Sequence, residues 1–259
     1  MLASQRKSLI IELIKKNQFI SVAELSQQLN ASEATIRRDL TSLELAGKLE
    51  RTHGGATSIE NIHHEEKMIE KQTLNIKEKL SIARRAFSLL KDYQTIILDA
   101  GSTTQLLARL IGESSLHLTV ITNATSHFPE LIMNPNVECY LVGGKIRSNT
   151  LACVGSLAIS SMARFKADIA FLGVNGISIQ GEFTTADVEE SLMKRAMLDR
   201  ASSVVVLSDH TKFNKQWLSV FANAHEIDLL ICDQEGDSKF ISDLQETTEL
   251  SIDVVSYPS

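Results

Sequence analysis

The sequence predicts an α/β chain in two parts: a small N-terminal unit of helices with a β wing, and a larger unit in which helices alternate with the strands of a parallel sheet. Three observations predict it. Residues 4–56 carry helix-start and helix-stop signals around short apolar stripes. From Ile76 onward, short apolar runs at 95–98, 118–121, 138–142, 169–173, 204–207, 229–232 and 252–255 are mostly separated by helical patterns, as expected of strands buried on both faces. Between them, residues 58–79 are rich in Glu and Lys with few large apolar side chains, suggesting a linker that becomes helical. The expected division is therefore 1–57, a linker 58–75, and 76–259.

Bulk properties agree. A chain of 259 residues with 43% hydrophobic content can bury a sizeable core in one small and one larger domain. No apolar run reaches the length of a membrane span, and the first helix mixes Arg6, Lys7, Lys15 and Lys16 into its apolar face, unlike a signal peptide. No membrane association and a cytoplasmic location are expected. Cys139, Cys153 and Cys232 are odd in number and lack metal spacing, which fits buried thiols in a reducing compartment. His63-His64-Glu65-Glu66 reads as a solvated charged segment, so neither a metal nor a cofactor is expected.

In the first part, Leu9, Ile10, Leu13 and Ile14 form a stripe at helical spacing, predicting a helix over 4–16. Phe19-Ile20 is a short strand that can pair with the wing. Ser21 and Glu24 form a capping box, so a helix begins at Val22, with Ala23, Leu25 and Leu29 as its apolar face. Asn30-Ala31 breaks it, and Ser32 caps the next helix, which runs to about Ala46 with Gly47 as its stop. There Ile36, Leu40 and Leu43 face the core, while Ala34, Thr35, Arg37, Arg38 and Thr41 project the other way. Lys48–Arg51 reads as a strand and Thr52–Ala56 as a tight turn.

Two helices, a polar turn and a basic outward face make a helix-turn-helix with a wing. Arginines suit phosphate or the paired acceptors of a guanine edge. The candidate DNA contacts are Ser32, Ala34, Thr35, Arg37, Arg38, Thr41, Lys48, Arg51 and His53. Net charge adds little. Residues 1–60 hold eight Lys/Arg against seven Asp/Glu, and the remainder 18 against 25, so binding depends on local placement and on doubling the contacts in a dimer or tetramer.

In the larger part, Ile76, Leu80, Ala83, Phe87 and Leu90 form an amphipathic helix, and polar residues collect after the strands. Asp99-Ala100-Gly101-Ser102-Thr103-Thr104 joins the first strand to a helix, offering hydroxyls and free N–H groups to an anion. An ordinary capped helix carries similar residues, and this loop alone does not choose between the two. It is neither a Walker A loop nor a dinucleotide fingerprint. Asn123, Gly143-Gly144-Lys145, Asn175 and Asp209 to Lys212 follow later strands. The candidate ligand residues are Asp99, Gly101, Ser102, Thr103, Thr104, Asn123, Gly143, Gly144, Lys145, Asn175, Asp209 and Lys212.

The run Thr35-Ile36-Arg37-Arg38-Asp39-Leu40, with Leu43-Glu44, Gly47 and Arg51-Thr52-His53-Gly54-Gly55-Ala56, resembles the signature of the DeoR family of bacterial repressors. The loops with Gly101-Ser102-Thr103-Thr104, Thr122-Asn123, Gly143-Gly144 and Asp209 to Phe213 resemble that family's sensor domain, which is related to ribose-5-phosphate isomerase and glucosamine-6-phosphate deaminase. The resemblance implies a repressor of sugar-metabolism genes that assembles as a homo-oligomer through the large domain, with double-stranded operator DNA and a sugar phosphate as partners. It implies that Ser102, Thr103, Thr104 and Lys212 hold phosphate, and that the ligand releases the operator. The enzymes' acidic loop has no counterpart in Gly173-Val174-Asn175-Gly176-Ile177-Ser178, so binding without turnover is expected. The alternative is a sugar-phosphate isomerase or deaminase with a fused regulatory domain.

Overall fold

Local capping signals build the N-terminal unit. The computed structural model describes residues 3–17, 19–46, 48–52, 54–57 and 67–256. Its first unit, residues 1–65, contains α1 (Ala3–Asn17), β1 (Phe19–Ser21), α2 (Val22–Leu29), α3 (Glu33–Leu45), β2 (Glu50–Thr52) and β3 (Gly55–Thr57). The Ser21 Oγ accepts the Glu24 N–H at 3.2 Å, and the Glu24 carboxylate accepts the Ser21 N–H at 2.9 Å, which holds that carboxyl below its usual range. Asn30 ends α2 in the left-handed region, and Ser32 caps α3 through the Thr35 N–H at 3.3 Å.

Ile10, Ile14, Ile20, Leu25, Ile36, Leu40 and Leu49 are the buried centre of this unit. Two expectations change. Ala23 is exposed and Val22 buried, because the stripe on α2 runs through 22, 25 and 29, a turn to the side of Ala23. Thr52, Gly55 and Ala56 are not part of the turn: Thr52 ends β2, and Gly55 and Ala56 start β3, which pairs with both β1 and β2 in the order β1-β3-β2; Gly54, at φ +113°, marks the reversal. The expected stop at Gly47 lies outside the described residues.

The second unit, residues 66–259, begins with α4 (Met68–Lys71), α5 (Ile76–Phe87), β4 (Thr95–Leu98), α6 (Ser102–Gly112), β5 (Leu118–Thr122), α7 (Phe128–Leu131) and β6 (Val137–Leu141). There follow β7 (Lys145–Arg147), β8 (Ala152–Val154), α8 (Ser156–Met162), β9 (Ala167–Gly173), β10 (Gly176–Ile177) and β11 (Glu182–Thr185). It ends with α9 (Val188–Leu198), β12 (Ala201–Ser208), β13 (Ser219–Asn223), β14 (Leu229–Asp233), α10 (Ser238–Thr248) and β15 (Ile252–Val255). Of the stretch read as a linker, 58–66 lies outside the described residues. The rest packs on this unit: Met68 is 3% exposed, and its N–H donates to the Asn149 carbonyl at 2.7 Å.

Seven parallel strands form the main sheet in the order β15-β14-β12-β9-β4-β5-β6. Successive residues of the central strands enter opposite cores, which is why β4, β12 and β14 carry mostly buried apolar runs, whereas the edge strands β6 and β15 include Glu138 and Asp253. Ile96, Leu98, Phe171, Val205 and Leu207 pack under α5 and α6; Ile97, Ala170, Leu172, Val204 and Val206 pack under α8, α9 and α10. From β4 the chain goes to β5 and β6 on one side, then to β9, β12, β14 and β15 on the other. The switch in direction lies between β4 and β9, where open α/β sheets hold ligands beyond the strand C-termini.

Candidate functional site

On α3, burial of Ile36, Leu40 and Leu43 leaves Ala34, Arg37, Arg38 and Thr41 exposed, with Thr35 half-buried. Ser32 and Thr35 hydroxyls bond to each other at 2.9 Å. Arg37 meets Glu33 at 3.1 Å with both side chains half exposed, a pair worth about 0.3–0.5 kcal/mol that a phosphate can displace. Arg51 reaches from β2 to the same face: its Nη1 donates to Thr41 Oγ1 at 3.0 Å, and its N–H to Glu44 Oε1 at 3.4 Å. Lys48 is exposed just before β2. His53 lies outside the described residues. The wing arginine and the helix thus present one polar surface.

In the second unit, a cavity of about 60 Å³ opens beyond β4, β9 and β12. Gly101, Ser102, Thr103, Thr104, Asn175, Asp209 and Lys212 line it, from among the residues expected to bind ligand. Gly101 precedes α6 with no side chain capping that helix, so its first N–H groups, at the positive end of the helix dipole, need an acceptor from elsewhere. The Thr104 hydroxyl donates to the carbonyls of Asp99 at 2.6 Å and Gly101 at 3.0 Å, so it shapes the loop, leaving Ser102 and Thr103 as its remaining hydroxyls. Asp209 caps the turn after β12; burial raises its pKa, but the Lys212 charge, the Thr211 hydroxyl and the Lys79 charge outweigh burial and hold it below the usual range.

Five expected ligand residues do not line the cavity. Asp99 is buried beneath it, bonded to the Lys194 ammonium and accepting the Gly173 N–H at 3.0 Å. Both ends of the Asn123 amide are engaged, accepting the Ala100 N–H at 3.0 Å and donating to the Cys153 carbonyl at 3.2 Å. Lys145 points to solvent and pairs with Glu189 at 2.8 Å. Gly144 is a packing glycine: a Cβ there would lie 2.7 Å from the Val154 carbonyl oxygen and 2.9 Å from the Ala158 Cβ. Gly143 stands beside it after β6, the sheet edge three strands from β9 and therefore roughly 14 Å away.

A family model described as the DeoR-like helix-turn-helix domain matches residues 6–62, and one described as the DeoR C terminal sensor domain matches residues 74–234. The chain belongs to the DeoR family. It is a DNA-binding transcriptional regulator. It is similar to the "Uncharacterized HTH-type transcriptional regulator FruR" of Bacillus subtilis, 37% identical over 91% of this chain and 93% of the relative. It is also similar to the "Lactose phosphotransferase system repressor" of Lactococcus lactis subsp. lactis, 34% identical over 95% and 97%. Among solved structures, ribose 5-phosphate isomerase A of Methanocaldococcus jannaschii matches at TM-score 0.39 and 21% identity, over 52% of this chain and 53% of that one.

The cavity of this DeoR-family sensor also takes side chains outside the expected ligand set: Met68, Lys71, Lys79, Thr150, Glu190 and Lys194. Glu190 accepts from the Thr150 hydroxyl and from Arg147 at 3.1 Å. Lys194, one turn further along α9, also donates to the Gly173 carbonyl at 2.9 Å. A usable signal was present: Glu190 and Lys194 share with Met193 and Met197 the side of α9 that is buried, and a charge on a buried stripe needs a partner or a ligand. Behind the Gly101 loop, His127 is fully buried with Nδ1 3.2 Å from the Thr122 hydroxyl; burial, against a contact to the Gly101 backbone, pushes its pKa down to about 4.

Proposed function

We propose that the sensor binds a phosphorylated sugar in this cavity, and that binding releases the repressor from operators of sugar-metabolism genes. The observation that carries this reading is convergence: the uncapped N-terminus of α6, Ser102, Thr103, Lys212 and Lys194 border one space. Phosphate fits such a helix end, and the cations supply charge-assisted bonds. Asn175, Asp209 and Glu190 offer acceptors to sugar hydroxyls. The name of the Lactococcus relative ties that protein to a lactose phosphotransferase system, which supports the same class of effector here.

The regulator acts in the cytoplasm as a dimer or tetramer, because one small unit with few basic residues makes few phosphate contacts, and two recognition helices double them. No helix among the described residues is long and apolar enough to cross a membrane. The sugar is bound without turnover, because Gly173-Val174-Asn175 provides no carboxylate where the related enzymes carry their acidic loop. Thermal-shift screening with a panel of sugar phosphates tests the reading. A true effector at 100 times its dissociation constant stabilises the fold by about 2.7 kcal/mol. No shift with any aldose or ketose phosphate would refute it, and conversion of one would favour an isomerase.

A further inference from the structure

Residues 67–75, which follow the connection to the wing, form a strap along the cavity wall, held at one end beside the cavity residue Thr150 and at the other by the cavity residues Lys79 and Asp209. At one end, the Met68 N–H donates to the Asn149 carbonyl at 2.7 Å, next to Thr150, whose hydroxyl bonds Glu190. At the other, Lys79 is 4% exposed and its ammonium donates to the carbonyls of Lys71 at 2.5 Å and Leu74 at 2.7 Å. Asn75 Nδ2 also donates to Asp209 Oδ1 at 3.4 Å. Lys79 itself lines the cavity.

We propose that Lys79 is a switch cation: it latches the strap through the Lys71 and Leu74 carbonyls, and a sugar phosphate in the cavity draws its ammonium away and frees residues 67–75. The proposal rests on the sugar-phosphate reading above. Two physical facts favour it. A phosphate dianion offers the Lys79 ammonium full opposite charge as well as acceptor oxygens, whereas the two carbonyls offer only dipoles, so a phosphate in the cavity competes with them for the ammonium. The cavity holds about 60 Å³ and opens to solvent, so a wall that gives way enlarges the space a sugar phosphate can occupy. The other walls, at the ends of β4, β9 and β12 and on α6 and α9, are tied into the two sheet cores. The strap contributes one buried apolar side chain, Met68, and is the wall that yields.

Freeing the strap reaches the DNA-binding unit through the chain itself, since residues 58–66 join it to β3. A longer connection loosens the spacing of two recognition helices. Doubling a connection lowers their effective concentration about threefold.

Amide hydrogen exchange on the full-length protein tests the latch, with glucose 6-phosphate, fructose 1-phosphate and inorganic phosphate as probes. In the wild type, a probe that protects residues 101–104 is expected to speed exchange in 67–75 at least severalfold. In Lys79→Met, 67–75 should exchange at the fast rate without any probe, with a cooperative melting curve retained. Protection at 101–104 with unchanged or slower exchange in 67–75 would overturn the latch and leave the ligand reading standing. Equal exchange of 67–75 in Lys79→Met and wild type would overturn it too. If no probe protects 101–104, the ligand reading fails and the phosphate half of the switch with it. Should Lys79→Met not fold, the wild-type comparison still decides.

Discussion

Arg6 on α1 donates through Nε to the Asp39 carboxylate on α3 at 2.6 Å, an ion pair whose side chains are 14% and 7% exposed. It sits beside the buried stripe of the recognition helix, between Arg38 and Leu40, and so ties the orientation of that helix to α1. Arg6→Ala leaves Asp39 buried without its partner and is expected to destabilise the small unit by about 1–3 kcal/mol. Thermal or urea unfolding followed in residues 1–57 measures it. A change within about 0.5 kcal/mol, the range of an ordinary surface substitution, would remove the pair from the stabilising contacts.

Arg37→Ala and Arg38→Ala should each weaken operator binding by about 1–3 kcal/mol while leaving the fold intact, because both project away from Ile36, Leu40 and Leu43. The measurement is a binding isotherm at one stated salt concentration, beside a melting curve. Unchanged affinity in both variants would take α3 out of the major groove.

Lys212→Ala removes a cation from the cavity wall and is expected to cost about 1.5–3 kcal/mol of effector affinity. The variant should hold the operator and ignore the inducer, behaving as a super-repressor. Operator binding with and without the sugar phosphate identified by screening gives the answer. Release at the wild-type ligand concentration would place Lys212 outside the site.

Acid should weaken the sensor through His127. The folded state keeps its imidazole neutral down to about pH 4, whereas the unfolded chain takes up the proton near 6.5. Stability is therefore full above the unfolded value and falls as the pH drops from there through the folded value, by about 3 kcal/mol in all. Urea unfolding between about pH 7 and pH 4 should show a shallower loss in His127→Gln than in the wild type. Parallel curves would show that the proton uptake belongs to other groups.

Much of this architecture was legible because it is local. Capping boxes act over three residues, and strands buried on both faces read as continuous apolar runs, so Ser21, Ser32 and all seven strands of the main sheet were found close to their true places. What depends on strand order was not. Gly143, Gly144 and Lys145 follow a strand just as Asp209 and Lys212 do, but β6 ends at the sheet edge while β12 lies directly beside β9. The side of α9 shared with Met193 and Met197 marks Glu190 and Lys194 as buried, but that they meet the cavity is set by the strands under the helix. Nothing in the sequence singles out Asp39 and Lys79 as buried charges, because their partners, Arg6 and two backbone carbonyls, come from outside their own helical stripes.

The cavity draws its walls from residues 68 to 212, whereas the recognition helix is supported by contacts within the first 57 residues. Structures with short-range contacts form sooner than those that wait for distant strands, and synthesis releases the N-terminus first. During translation the chain therefore acquires its recognition helix before β12 brings Asp209 and Lys212 to the sheet. Each new molecule thus passes through a period in which its recognition helix is shaped and its cavity is not yet closed by β12.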